Sequence, residues 1–98
     1  MGQTSIQHMV IFKLKYEVGS KEAEDFLNDV RQLTLIPVVK EFRAFRLRPN
    51  NPFDYGISMM FDNQMDYSAY IAHPVHHEVE QTLWRSAATH SLVIDYDV

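Results

Sequence analysis

The pattern of apolar positions changes its period several times along the chain. From Ile6 to Leu14 every second residue belongs to an apolar face, and the residues between them are largely apolar as well. This predicts a strand that is covered on both sides. Ser20 follows a Val-Gly turn and suits a helix N-cap, after which helical spacing begins. The predicted buried stripe of this first helix contains Ala23, Phe26, Leu27, Val30 and Leu33.

Two further strands are predicted after Pro37, which sets the boundary behind the helix. Residues Val38 to Arg48 are rich in Val and Phe and predict the second strand. A Pro-Asn-Asn-Pro cluster at 49–52 cannot continue a ladder and predicts a turn. Tyr55 to Phe61 then predicts the third strand, with apolar side chains at every second position.

The second half of the chain predicts a helix that is broken at a His-Pro step. Asp62 or Asn63 caps a short helix that contains Tyr70. A residue before proline is disfavoured in a helix, whereas proline suits the first helical position, so His73 should end one helix and cap the next. This next helix is predicted from Pro74 to about residue 88. The last strand is predicted at 92–96.

The predicted element order is β-α-β-β-α-β, which is the ferredoxin-like or split βαβ arrangement of the α+β class. It describes one domain at 5–97, with a four-stranded antiparallel sheet and helices on a single face. The opposite face of the sheet also carries apolar side chains. Because such a face has to be buried, we expect a two-fold homodimer in which two sheets pack against each other.

The amino-acid composition excludes several classes of function. The hydrophobic fraction of 46% in 98 residues indicates one folded domain, and the net charge of -4 argues against nucleic-acid binding. There is no cysteine, which excludes disulfides and thiol chemistry. No basic and apolar leader and no apolar run of membrane length occur, so we expect a soluble, cytoplasmic protein without a membrane partner.

The broken helix carries the strongest candidate chemistry. Tyr70 lies in the last turn before the break, and His76 lies in the first turn after it. A phenol and an imidazole that meet there form a plausible acid/base pair, with His76 as the general base and Tyr70 as a hydrogen-bond donor to an enolate. Glu80, one turn later, would orient the imidazole. The alternative is a packed joint without chemistry, in which His76 pairs with Glu80 at the surface.

The other histidines have weaker signals. His8 lies on an apolar strand face, where it is either a satisfied core residue or a wall of a pocket. His73 is expected mainly to cap a helix, and a role in the site is the second possibility. The spacing of His73, His76 and His77 invites a zinc interpretation. These residues straddle a helix break, however, and no other ligand is evident except distant Asp or Glu residues. We therefore expect no metal and no cofactor.

Four segments together resemble the stress-responsive α/β-barrel (Dabb) domain family. They are the opening His-Met-Val-Ile-Phe-Lys at 8–13, Ile-Pro at 36–37, Tyr-Ile-Ala-His-Pro-Val-His at 70–76 and Val-Ile-Asp-Tyr at 93–96. The resemblance spans nearly the whole chain and implies a dimeric α+β barrel. The catalytic tyrosine and histidine of the family's plant polyketide cyclases fall on Tyr70 and His76, and two further histidines fall on His8 and His73. Tyr55 stands where those cyclases have a pocket histidine, which puts the polyketide specificity in doubt.

Three functional hypotheses remain open. The first is a cofactor-independent enzyme that binds a small apolar or aromatic carbonyl compound, with an apolar pocket walled by Phe26, Leu27 and Val30 and further lined by His8, Tyr55 and His73. The second is a non-catalytic dimeric stress-response or ligand-binding protein. The third is a cofactor-free monooxygenase of the same barrel superfamily.

Overall fold

The computed structural model describes residues 4–98. Its elements follow the predicted order, with two short irregular helical segments added. They are β1 (Ile6–Leu14), α1 (Lys21–Asp29) continued by a 3-10 segment (Val30–Leu35), β2 (Lys40–Arg46), β3 (Tyr55–Phe61), α2 (Gln64–Ala72), α3 (Pro74–Val79) continued by a π-helical turn (Glu80–Trp84), α4 (Arg85–Ala87) and β4 (Ala88–Asp97).

The four strands form one antiparallel sheet in the order β2-β3-β1-β4. The helices lie on one face of this sheet. The predicted ferredoxin-like α+β arrangement is therefore confirmed. Strand β1 is central and β4 lies at the edge beside it. In the register of this pair, His8 of β1 lies directly opposite Asp95 of β4.

The hydrophobic core lies between the sheet and the helices. Along β1 the side chains from Ile6 to Leu14 alternate strictly between buried and partly exposed. Phe12, Met59 and Phe61 are among the most completely buried residues on the helical side. On the other side of the sheet the β1 side chains are partly exposed, so within residues 4–98 the expected cover on both faces of this strand is only partial. We call that other side of the sheet the open face.

Side chains cap the helices where the sequence predicts. Ser20 accepts a hydrogen bond from the backbone N–H of Ala23, and Asn63 accepts one from Asp66. His73 ends α2 and begins α3, and its Nδ1 accepts the N–H of Val75 at 3.1 Å. Each cap satisfies one backbone donor that the helix itself leaves without a partner.

Three predicted boundaries differ from the structure. Strand β2 covers Lys40–Arg46 of the predicted 38–48, and a bulge between Lys40 and Arg43, where Glu41 has a φ of 50°, shifts its pairing with β3. Strand β4 begins at Ala88 rather than Leu92, since its pairing with β1 continues through polar residues. The helix after Pro74 is not a uniform α-helix, because the π-helical turn interrupts it.

A close contact on the open face constrains one glycine. Gly56 of β3 lies opposite Phe45 of β2, and the Phe45 ring covers it. A Cβ atom at position 56 would lie 2.4 Å from Cε1 of Phe45. This glycine is therefore required by packing against a neighbouring side chain and not by its own backbone conformation.

Gly56→Ala should lower the free energy of unfolding by about 1–3 kcal/mol, because the Phe45 ring has to leave its position. Urea unfolding measures this change. In the Phe45→Leu background the same substitution should cost less, since the smaller side chain removes the clash. Equal costs in the two backgrounds would contradict the packing explanation.

Candidate functional site

A cavity of about 450 Å³ opens between the helix-facing side of the sheet and the helices after β3. Apolar and aromatic side chains form most of its wall, and three histidines, two tyrosines, one glutamate and one serine supply polar groups. The lining residues are His8, Val10, Leu33, Ile57, Tyr67, Tyr70, Ile71, His76, His77, Val79, Glu80, Trp84, Ser91 and Val93.

The sheet side of the cavity holds a hydrogen-bonded group of three side chains. His8 is only 5% exposed, and its Nδ1 lies 2.5 Å from Oδ1 of Asp95. The Tyr67 hydroxyl donates to Oδ2 of Asp95 at 2.6 Å and lies 3.1 Å from Nδ1 of His8. Because Asp95 accepts a hydrogen bond from Nδ1–H, the lone pair of the neutral imidazole is on Nε2.

The helix side of the cavity brings Tyr70 and His76 together across the break in the helix. Their ring centroids are 4.7 Å apart at 68°. Tyr70 also contacts His8 with a centroid distance of 5.8 Å, so it stands between two imidazoles. The predicted meeting of a phenol and an imidazole at this joint is the observed geometry.

The polar atoms of this wall remain accessible. Within residues 4–98 neither the Tyr70 hydroxyl nor Nε2 of His8 has a hydrogen-bond partner. Every side-chain oxygen or nitrogen that is fully buried in that stretch does have a partner. Both atoms therefore reach the open space of the cavity. A bound molecule would be able to form hydrogen bonds with each of them.

Burial changes the proton affinities of both helix-side groups. It lowers the pKa of His76 below the ordinary value of 6.5, and the nearby charge of Glu80 opposes this only in part. Burial also raises the pKa of Tyr70 well above 10.0, with smaller contributions from Tyr67, Glu80 and Asp95. At neutral pH His76 is therefore a neutral base, and Tyr70 keeps its proton. No ion pair within 4 Å joins His76 and Glu80 among residues 4–98.

Five residues that the sequence placed at the pocket lie away from this cavity. Phe26 borders a smaller depression on the other side of α1. Val30 is fully buried, Leu27 packs partly buried against the core, and neither lines the cavity. The hydroxyl of Tyr55 accepts the N–H of Gly19 at 2.9 Å and holds the turn before α1. His73 is the helix cap described above, so the expected apolar wall is corrected to Leu33, Ile57 and Val79.

Sequence reasoning missed three residues of the site. Tyr67, Trp84 and Asp95 were not among the site residues expected from the sequence. Asp95 interrupts an apolar strand, and pairing of β1 with β4 places it on the same side as His8. Trp84 follows Glu80 by four residues, about one helical turn, so the two side chains lie on the same face of the helix and both line the cavity. Phe12 holds the Trp84 ring at a centroid distance of 4.7 Å.

The described part of the chain has no arrangement typical of a metal centre. Between residues 4 and 98 no three His, Cys, Asp or Glu side chains gather closely enough to hold an ion. None of the helices in that range combines the length and the apolar character that crossing a membrane requires.

The fold and cavity together define a ferredoxin-like α+β domain with a histidine- and tyrosine-lined pocket. The profile of the family described as "Stress responsive A/B Barrel Domain" (Dabb) matches residues 6–98. The chain belongs to this family. A Dabb family protein with a ferredoxin-like fold from Mesorhizobium loti is 34% identical, with 96% of each chain covered and a TM-score of 0.90. A comparison with curated proteins gives no match.

More distant structures share the fold. A dimeric ferredoxin-like protein of unknown function from Thermobifida fusca is 18% identical, with 98% of this chain and 92% of that chain covered and a TM-score of 0.81. Hydroxynitrile lyase from Passiflora edulis is 20% identical, with 96% of this chain and 93% of that chain covered and a TM-score of 0.81. The same fold therefore occurs in a protein described as an enzyme.

Proposed function

We propose that this protein is a cofactor-independent enzyme that performs acid–base chemistry on a small, apolar or aromatic carbonyl compound. One observation carries the proposal: Tyr70 stands between the rings of His8 and His76, and its unpartnered hydroxyl faces the cavity. A purely structural tyrosine at 2% exposure would be expected to satisfy its hydroxyl within the protein.

The proposed chemistry begins with the neutral imidazole of His76. It removes a proton from the carbon next to the substrate carbonyl, and the electron pair of the broken C–H bond moves onto the carbonyl oxygen. Tyr70 donates a hydrogen bond to this oxygen and stabilises its developing negative charge. The enolate carbon then attacks a second carbonyl of the same molecule, whose oxygen becomes an alkoxide and takes the proton from the His76 imidazolium, or the enolate carbon takes that proton back itself. The first outcome is a cyclase reaction, and both outcomes balance without a cofactor.

The cavity supports a substrate of this class. Its volume of about 450 Å³ falls in the range of sites for small organic molecules. Val10, Ile57 and Trp84 offer an apolar surface, while Nε2 of His8 offers an acceptor for a substrate hydroxyl. The similarity in fold to a hydroxynitrile lyase is consistent with catalysis on this scaffold and carries no substrate assignment.

Exchange of α-protons for deuterium in D2O tests this function, with phenylacetone and acetylacetone as probes and NMR as the readout. We expect exchange faster than with an equal concentration of free imidazole. Its rate should fall as the pH drops through the lowered pKa of His76, below 6.5, because the base becomes protonated. It should fall again only above pH 10.0, where Tyr70 finally loses its proton. A rate that matches free imidazole across this range would contradict the proposal.

We propose in addition that the functional unit is a two-fold homodimer formed through the open face. Leu92, Ile94 and Tyr96 of β4 are exposed there, next to the partly exposed Met9 and Ile11 of β1. An apolar surface of this kind is typical of an interface. Three structures with the same fold are described as dimeric, which supports this assembly.

A further inference from the structure

Tyr67 occupies a position that neither packing nor the proposed proton transfer explains. Its ring lies parallel to that of Phe61, with centroids 5.1 Å apart and an interplanar angle of 1°. This stack fixes the direction of the hydroxyl, which points at the Asp95–His8 pair. Asp95 itself lies on the edge strand, and its side chain is 35% exposed.

The hydrogen bonds among these three groups are directional. The Tyr67 hydroxyl has a single proton, and the short distance of 2.6 Å to a carboxylate oxygen assigns that proton to Asp95. Burial and the interaction with Asp95 both raise the pKa of Tyr67, which keeps the donor protonated. The other oxygen of Asp95 is then left to accept Nδ1–H of His8.

A carboxylate at the solvent edge of a sheet has freedom to rotate towards water. A second hydrogen bond from a rigid donor restricts this rotation and keeps Oδ1 directed at the imidazole. The tautomer of His8 depends on that contact, since the acceptor at Nδ1 decides which nitrogen carries the proton. Only the Nδ1–H tautomer presents an acceptor at Nε2, the atom that reaches the cavity.

We propose that Tyr67 is a positioning residue that holds Asp95 in place and thereby keeps His8 in the Nδ1–H tautomer, with Nε2 as a hydrogen-bond acceptor for the substrate. Tyr67 acts through Asp95 and His8 and takes no part in bond breaking. The expected effect of Tyr67 on the turnover rate rests on the proposed function, whereas its expected effect on the tautomer of His8 does not.

Tyr67→Phe is the decisive variant, because it keeps the ring stacked on Phe61 and removes only the hydroxyl. Ring-nitrogen 15N chemical shifts of the full chain, recorded at about pH 8 where imidazoles are neutral, give the tautomer ratio of His8. We expect the Nδ1–H to Nε2–H ratio to fall by about 3-fold to 10-fold, the effect of one lost hydrogen bond. Asp95→Ala should lower the ratio further. Tyr16→Phe, a partly buried tyrosine outside the site, should leave it unchanged.

Kinetics provide the second readout. In the deuterium exchange assay, run with 4-hydroxyphenylacetone as a probe whose hydroxyl can donate to Nε2 of His8, Tyr67→Phe should lower kcat by about 10-fold, the effect of one lost hydrogen bond. A tautomer ratio equal to that of the unmodified protein would overturn the inference and reduce Tyr67 to a stacking role. A shifted ratio in a protein that exchanges no substrate would support the positioning role while contradicting the enzyme proposal, so the two failures are distinguishable.

Discussion

His76→Ala should reduce the rate of α-proton exchange by about 100-fold or more, the contribution that a positioned general base makes. The same substitution should cost no more than about 1 kcal/mol of unfolding free energy. The reason is that the ring is only partly buried, and the contacts that it would lose are the edge-on packing with Tyr70 and one hydrogen bond to the backbone of Ile71. Exchange kinetics by NMR and urea unfolding measure the two quantities separately.

His90→Ala is the matched control for this experiment. His90 is an exposed histidine on β4 whose ring nitrogen contacts only the neighbouring Thr89. It should change neither exchange nor stability. If His76→Ala exchanges protons as fast as the unmodified protein but is markedly less stable, the histidine braces the helix joint. The alternative of a non-catalytic ligand-binding protein would then account for the cavity.

The double substitution Leu92→Asp with Ile94→Asp should convert the expected homodimer to a monomer at micromolar concentration. Both side chains are exposed on the open face, at 49% and 37%, so the single chain tolerates the change. In a dimer each carboxylate would be buried without a partner, which costs several kcal/mol in total and weakens association by about 100-fold or more. Sedimentation velocity reports the change in mass.

Met65→Asp controls for surface charge alone. Met65 is 80% exposed on α2, in the helical layer on the opposite side of the molecule. It should leave the dimer intact. An unmodified protein that sediments as a stable, folded monomer at micromolar concentration would refute the proposed assembly. Dissociation by Met65→Asp as well would place the interface elsewhere.

Sequence patterns predicted the elements and their order because local rules decide them. Alternation over Ile6–Leu14 and Tyr55–Phe61 matched strands with the same bounds. Capping chemistry predicted the N-caps Ser20 and His73 and limited the third to Asp62 or Asn63, of which Asn63 is the cap. The acid/base pair was also predictable, because Tyr70 and His76 flank one helix break and are close in sequence. The bulge in β2 was not predictable, because it depends on pairing with the partner strand and not on the segment itself.

The remaining features of the site depend on contacts between residues far apart in the chain. His8 and Asp95 meet only because β4 returns along β1 in one particular register, and a shift by one residue would turn Asp95 to the open face. Tyr67 joins them because Phe61 stacks against it from β3. Phe26 and Val30 have the helical spacing of a pocket wall, yet packing of the first helical segment buries both in the core instead. The sequence by itself determined the family, the elements and the helix-joint pair, because these depend on short-range geometry and side-chain chemistry. Only the tertiary structure decided which groups line the cavity, because strand register and helix packing set distances that no local pattern encodes.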